Sequence, residues 1–83
     1  MPRRRSKDQI KAQILATCQG DGAKKTRIVY QAGLNFQTVK GHLGLLLEKG
    51  LLEAIEGDRT TYRTTPEGER ALECLKAVEA IFS

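Results

Sequence analysis

Residues Lys24–Gly50 read KKTRIVYQAGLNFQTVKGHLGLLLEKG. Two short amphipathic segments flank a tight Gly33-Leu34-Asn35 corner, which is the layout of a helix-turn-helix. The first helix starts at Lys25 or Thr26 and turns Ile28, Val29 and Ala32 inward. Gly33 ends it, Leu34 is the expected buried pivot, and Asn35 is a strong N-cap for the next helix. That helix is expected over Phe36–Lys49, with Gly50 just beyond its end. Phe36, Val39, Leu43, Leu46 and Leu47 fall on one arc of the wheel and form the inner face. The outer side carries Gln37, Thr38, Gly41, Gly44, Leu45 and Glu48, flanked by Lys40 and His42. Tyr30 either packs in the core or at its boundary, which is the favoured placement, or points outward.

Upstream, Ser6 and Gln9 have the spacing of a capping box. Ile10, Ile14, Leu15 and Cys18 then predict a helix over Lys7–Gln19, stopped by Gly20-Asp21-Gly22. Downstream, Leu51–Glu56 and Arg59–Thr64 are strand-like runs around Gly57-Asp58, read as a two-residue hairpin turn. Thr65 is a cap, Pro66 suits a first helical position, and Glu67 and Glu69 complement the dipole of a helix over Pro66–Phe82. The predicted fold class is mainly α with a small β-hairpin: a winged helix-turn-helix of three helices, a two-stranded wing and a C-terminal helix. Three regions follow: a basic disordered arm (1–5), the winged domain (6–65) and the C-terminal helix (66–83).

At 83 residues, 40% hydrophobic and with only four aromatic side chains, the chain supports one domain with a modest aliphatic core. No apolar run approaches the roughly 20 residues of a membrane span. Arg3, Arg4 and Arg5 are not followed by the apolar stretch of a signal peptide, so an intracellular, cytoplasmic location is expected. Cys18 and Cys74 are far apart and His42 is near neither, which gives no metal-ligand spacing; both thiols are read as small buried groups. No metal or cofactor is expected.

The net charge of +4 is unevenly spread. Residues 1–50 carry ten Lys/Arg against three Asp/Glu, or +7, and residues 51–83 carry −3. A chain that sets one side against phosphates has this segregation. The candidate DNA contacts are therefore Arg3, Arg4 and Arg5 in the arm, Lys24, Lys25 and Arg27 at the first helix of the motif, and Asn35, Gln37, Thr38, Lys40, Gly41 and His42 on the second. Gln37 has the geometry to pair with adenine, and Thr38 can touch a base or a phosphate. Arg59, with Arg63 beside it, is placed for a minor groove or a phosphate, against repulsion from Glu56 and Asp58. Gly41 and Gly44 each cost a helix about 1 kcal/mol relative to Ala; they either let the helix backbone approach DNA closely, or are tolerated drift or packing against another chain.

Several strings together resemble the small archaeal winged-helix DNA-binding proteins. They are the basic arm ending in Ser6-Lys7, Lys25-Thr26-Arg27-Ile28 with Tyr30 and Leu34 behind it, Glu48–Leu52, and Tyr62 with Thr64-Thr65-Pro66-Glu67-Gly68. The resemblance spans nearly the whole chain. It implies a dimer held by the C-terminal helix, with Leu72, Leu75, Val78, Ile81 and Phe82 as interface residues. The stripe Ala71, Leu75, Val78, Phe82 covers about one and a half heptads, less than the three or four of a long coiled coil, so a shorter helix pair is expected. The function expected is double-stranded DNA binding, as a transcription regulator or a nucleoid-associated chromatin protein. The alternative is a winged-helix protein-interaction module. One His and no paired carboxylates argue against an enzyme.

Overall fold

The computed structural model describes residues 7–82. The elements run α1 (Lys7–Thr17), β1 (Ala23–Lys24), α2 (Lys25–Ala32), α3 (Phe36–Glu48), β2 (Leu52–Ile55), β3 (Thr61–Thr64) and α4 (Pro66–Phe82). The winged helix-turn-helix is present, with two changes to the expected wing. The sheet has three antiparallel strands in the order β1-β3-β2, because Ala23 and Lys24 pair with Tyr62 and Thr61. The β2–β3 register sets Ile55 opposite Thr61, so the hairpin loop is residues 56–60 and not a two-residue turn.

The core is aliphatic. Ile14 and Leu15 of α1, Cys18 just beyond its end, Ile28 of α2, Val39 and Leu46 of α3 and Leu72 of α4 are its largest fully buried side chains. Burying one such aliphatic side chain contributes about 1.5–3 kcal/mol. α1 ends at Thr17, two residues short of the expected Gln19. Ser6, the expected cap of α1, lies outside the described residues.

The helix ends follow the chemistry of their residues. Asn35 accepts the Thr38 N–H at 2.8 Å and so caps α3. At the other end of α3, Gly50 takes φ +74°. Its N–H donates to Leu47 O (3.1 Å) and that of Leu51 to Leu46 O (2.9 Å), the paired bonds of a Schellman end. The Thr65 hydroxyl accepts the Gly68 N–H at 3.0 Å and donates to Gly50 O at 2.6 Å, so one side chain caps α4 and holds the end of α3.

Thr64 is the one polar residue in the core of the described chain. Its N–H donates to Cys18 O (3.0 Å) and its hydroxyl to Leu15 O (2.6 Å), which ties the wing strand to the end of α1. Gly22 sits where this wing strand passes closest. It has φ +89°, and a Cβ there would meet Tyr62 O at 2.6 Å, so the position excludes side chains on both counts.

Four inner-face expectations are corrected. Phe36 is 51% exposed, because it opens α3 at the corner, where the Lys25 side chain lies over its ring. Tyr30 is 83% exposed on the outer side of α2, opposite Ile28 and Ala32. Leu34 is half-buried rather than a buried pivot, although it packs on the core. Cys74 is exposed, since Gly68 and Leu72 define the inner face of α4 and Cys74 follows two residues later on the far side.

The two thiols should therefore behave differently. Burial pushes the Cys18 thiol up to about 11 from 9.0, so it stays neutral and shielded at ordinary pH. An alkylating reagent at mildly alkaline pH should modify Cys74 in the folded protein and Cys18 only on unfolding. Equal rates at both would contradict this packing. Because the folded value is raised, Cys18 favours the folded state fully below pH 9, and this contribution is lost as pH rises towards 11.

Candidate nucleic-acid interface

Three elements meet on one side of the molecule: the start of α2, the first turns of α3 and the wing loop. Lys24 holds the N-cap position of α2 in an extended conformation (φ −83°, ψ 158°), and its side chain makes no cap hydrogen bond. The first turn of α2 contains no acidic residue. It instead brings Lys24, Lys25 and Arg27 to the positive end of the helix dipole, a placement that opposes the field by a few tenths of a kcal/mol or more per charge. An anion bound at the same place would relieve that local conflict.

The neighbouring elements continue this side. Lys24, Lys25 and Thr26 line a cleft with Asp58, Arg59, Thr60 and Tyr62, so the start of α2 and the wing loop face each other. Lys25 Nζ lies 5.1 Å from the centre of the Phe36 ring and links α2 to the first residue of α3. Along the outer side of α3, Gln37, Lys40, Gly41, Gly44, Leu45 and Glu48 line a shallow groove. No atom outside the local helix backbone lies within 4 Å of a Cβ placed at Gly41 or Gly44, so both glycines face open space. No Asp or Glu occurs between Asp21 and Glu48.

Of the expected contact residues, Lys24, Lys25 and Arg59 share the one cleft and Gln37, Lys40 and Gly41 the groove along α3. Lys24, Arg27, Gln37, Thr38, Lys40, Gly41 and Arg59 are exposed, while Lys25 and His42 are half-buried. Asn35 and Arg63 are among those already engaged. The Asn35 side chain is spent on capping Thr38. Arg63 is ion-paired with Glu53, its cross-strand partner, with Nε 2.8 Å from Oε1. Arg63 thus braces the sheet and does not extend the reach of Arg59. Arg3, Arg4 and Arg5 lie outside the described residues.

The dimer residues divide as well. Leu72 is 1% exposed and belongs to the core of its own chain, which removes it from any interface. It lies one turn beyond Gly68, on the side of α4 that faces α1. Leu75 is half-buried, and the side chains of Val78, Ile81 and Phe82 lie outside the described residues. Among the described residues, no three His, Cys, Asp or Glu side chains are grouped to hold a metal, and no helix is long and apolar enough to cross a membrane.

Two residues that carry the resemblance take placements that the sequence did not assign. Gly68 carries no turn or φ signal; its role is the contact made by α4 with the Leu51 carbonyl. Tyr30 follows Ile28-Val29 in an apolar run, and only the phase set by Ile28 and Ala32 places it outside.

Known structures share this architecture. The DNA-binding protein Sso10a-2 from Sulfolobus solfataricus superposes with a TM-score of 0.84 at 28% identity, covering 93% of this chain and 81% of that one. A MarR-family transcriptional regulator from Rhodococcus sp. RHA1 has the same fold, with a TM-score of 0.75 at 24% identity over 82% of this chain and 51% of its own. An uncharacterized protein of Methanocaldococcus jannaschii is 33% identical over 75 residues, 90% of this chain. This chain spans about a third of that relative, 34% of its length. The pattern of the winged helix-turn-helix family covers residues 4–82, and the chain belongs to that family.

Proposed function

We propose that this chain binds double-stranded DNA, with α3 in the major groove, the start of α2 on the flanking phosphates and Arg59 of the wing loop on the adjacent backbone or minor groove. The observation that carries this reading is the meeting of uncapped, cation-rich α2 with the wing loop and with the first turn of α3. An α-helix fits the major groove and reads base edges best from its first turns, where α3 presents Gln37, Thr38 and Lys40. Gln37 is the residue for adenine; Thr38, Lys40 and His42 suit phosphates or mixed contacts. The resemblance to Sso10a-2, itself a DNA-binding protein, supports the reading.

Residues 1–5 act as a basic arm that adds affinity without sequence preference. Residues 6–65 form the binding domain, and residues 66–83 pair two copies through Leu75, Val78, Ile81 and Phe82. Such a dimer sets two α3 helices about 34 Å apart, one turn of DNA, or a multiple of it. The role is that of a regulator or a nucleoid-associated architectural protein in the cytoplasm, a binding activity and not a catalytic one. With Lys40 the sole basic residue in the first turns of α3, most of the affinity comes from the backbone.

Titration of random and selected duplexes across a salt series tests the reading. A steep salt slope without preference identifies an architectural protein; a preferred palindrome identifies a regulator. No binding at low salt would replace DNA by a protein partner.

The glycines of α3 give a separate expectation. Gly41→Ala with Gly44→Ala should raise stability by about 1 kcal/mol each, since both positions are open and helical. If the α3 backbone approaches the duplex closely there, the same variant binds DNA more weakly. Raised melting temperature with unchanged affinity rejects close approach.

A further inference from the structure

Tyr30 is the most exposed large hydrophobic side chain described, at 83%. Ile28 and Ala32 give α2 its buried face, and at 3.6 residues per turn Tyr30 stands on the opposite side. One turn back on that side are Thr26 and Arg27, both exposed. α2 contains no carboxylate. Its outer face thus presents a hydroxyl, a guanidinium and a phenol, with no acidic neighbour on the same helix to occupy them. The chain has four aromatic residues and builds its core from aliphatic ones, so this tyrosine adds nothing to packing where it stands.

We infer that Tyr30 is a DNA-backbone contact acting with Arg27: the phenol O–H donates to one phosphate while the guanidinium holds a neighbouring phosphate of the same strand. The inference rests on the DNA-binding reading above and names a positioning residue for it. Three residues of helix separate the two backbone positions by about 4.5 Å along α2, and the long Arg27 and Tyr30 side chains extend that span, so each can hold its own phosphate. Arg27 supplies charge, and its bond to phosphate displaces counterions. Tyr30 is neutral, so its bond adds affinity and direction without adding to the salt dependence. Two anchors one turn apart fix the angle at which α2 crosses the backbone, and with it the entry angle of α3. A tyrosine serving as a protein anchor would sit among apolar residues; its outer-face neighbours here are Thr26 and Arg27.

The test compares the full chain with Y30F, Y30A and R27A, measuring duplex affinity by fluorescence anisotropy across a salt series, with melting temperatures alongside. Y30F should bind about tenfold more weakly with an unchanged salt slope and an unchanged melting temperature. Y30A should lose at least as much. R27A should lose affinity and also flatten the slope by about 0.9. Full affinity in Y30F, with the wild type binding normally, overturns the phenol contact and leaves DNA binding intact. Absence of wild-type binding at low salt overturns both.

Discussion

Gly68→Ala should lower the melting temperature by roughly 10–20 °C, corresponding to a loss of about 3 kcal/mol for a domain of this size. On propensity alone the change would stabilise α4 by about 1 kcal/mol. Sterics decide the sign. A Cβ at Gly68 overlaps the Leu51 carbonyl oxygen and lies 2.7 Å from Thr64 Cγ2. Neither obstacle can give way cheaply. The Leu51 carbonyl accepts the Thr65 N–H at 3.1 Å, and Thr64 is buried, with its hydroxyl bonded to Leu15 in α1 and its N–H to Cys18 just beyond it. Moving α4 outward instead would withdraw Leu72 from the core. Thermal unfolding followed by circular dichroism measures the effect, with Gly44→Ala as the control at an open helical glycine. A Gly68→Ala protein that melts with the wild type would mean that α4 does not pack on Leu51 as described.

Replacing Lys24, Lys25 and Arg27 together by alanine should abolish most duplex affinity while leaving the fold in place. Each lost phosphate contact flattens the logarithmic salt dependence by about 0.9, so the triple variant should lose between two and three units of slope and roughly a hundredfold or more in affinity at moderate salt. Stability should change little, because opposing effects nearly cancel. Loss of the Lys25 contact to the Phe36 ring removes about 0.5–1 kcal/mol. Removal of three like charges from the positive end of α2 returns a comparable amount. Anisotropy titrations against the wild type, with melting curves on the same samples, separate the two. An unchanged slope in a well-folded variant would take the start of α2 out of the interface.

The legible parts of the fold were those written in local chemistry. Asn35, Gly50 and the Thr65-Pro66 pair are signals read within four or five residues, and the elements begin or end where those signals stand. β1 was not legible, because two residues carry no periodicity and exist as a strand only through pairing with residues nearly forty positions away. The wing loop was misjudged for a related reason: Gly57-Asp58 suits a tight turn, but the register is set by Thr64 locked to α1.

The site divides in the same way. Charge identified the start of α2 as basic, since clustering of Lys and Arg needs no tertiary information. The engagement of Arg63 by Glu53 needed the strand register. Leu72 could not be told from Leu75 by spacing, because a half-apolar helix offers two adjacent stripes and only packing chooses between them. Tyr30 and Phe36 were drawn inward by their hydrophobicity, whereas helix phase and position at the corner turn them out.

The short pairing of Ala23 and Lys24 with Tyr62 and Thr61 has a mechanical consequence. It joins the residue preceding α2 directly to the wing, with Gly22 pressed against the same strand. Lys24 is therefore tied to the strand that leads out of the wing loop, which limits how far the span from Lys24 to Arg59 adjusts to a ligand. On the proposed footprint, a duplex whose grooves do not match that span must itself deform, and the elastic cost depends on its base steps. A protein with few side chains for reading bases would in this way still rank sequences by how easily they bend.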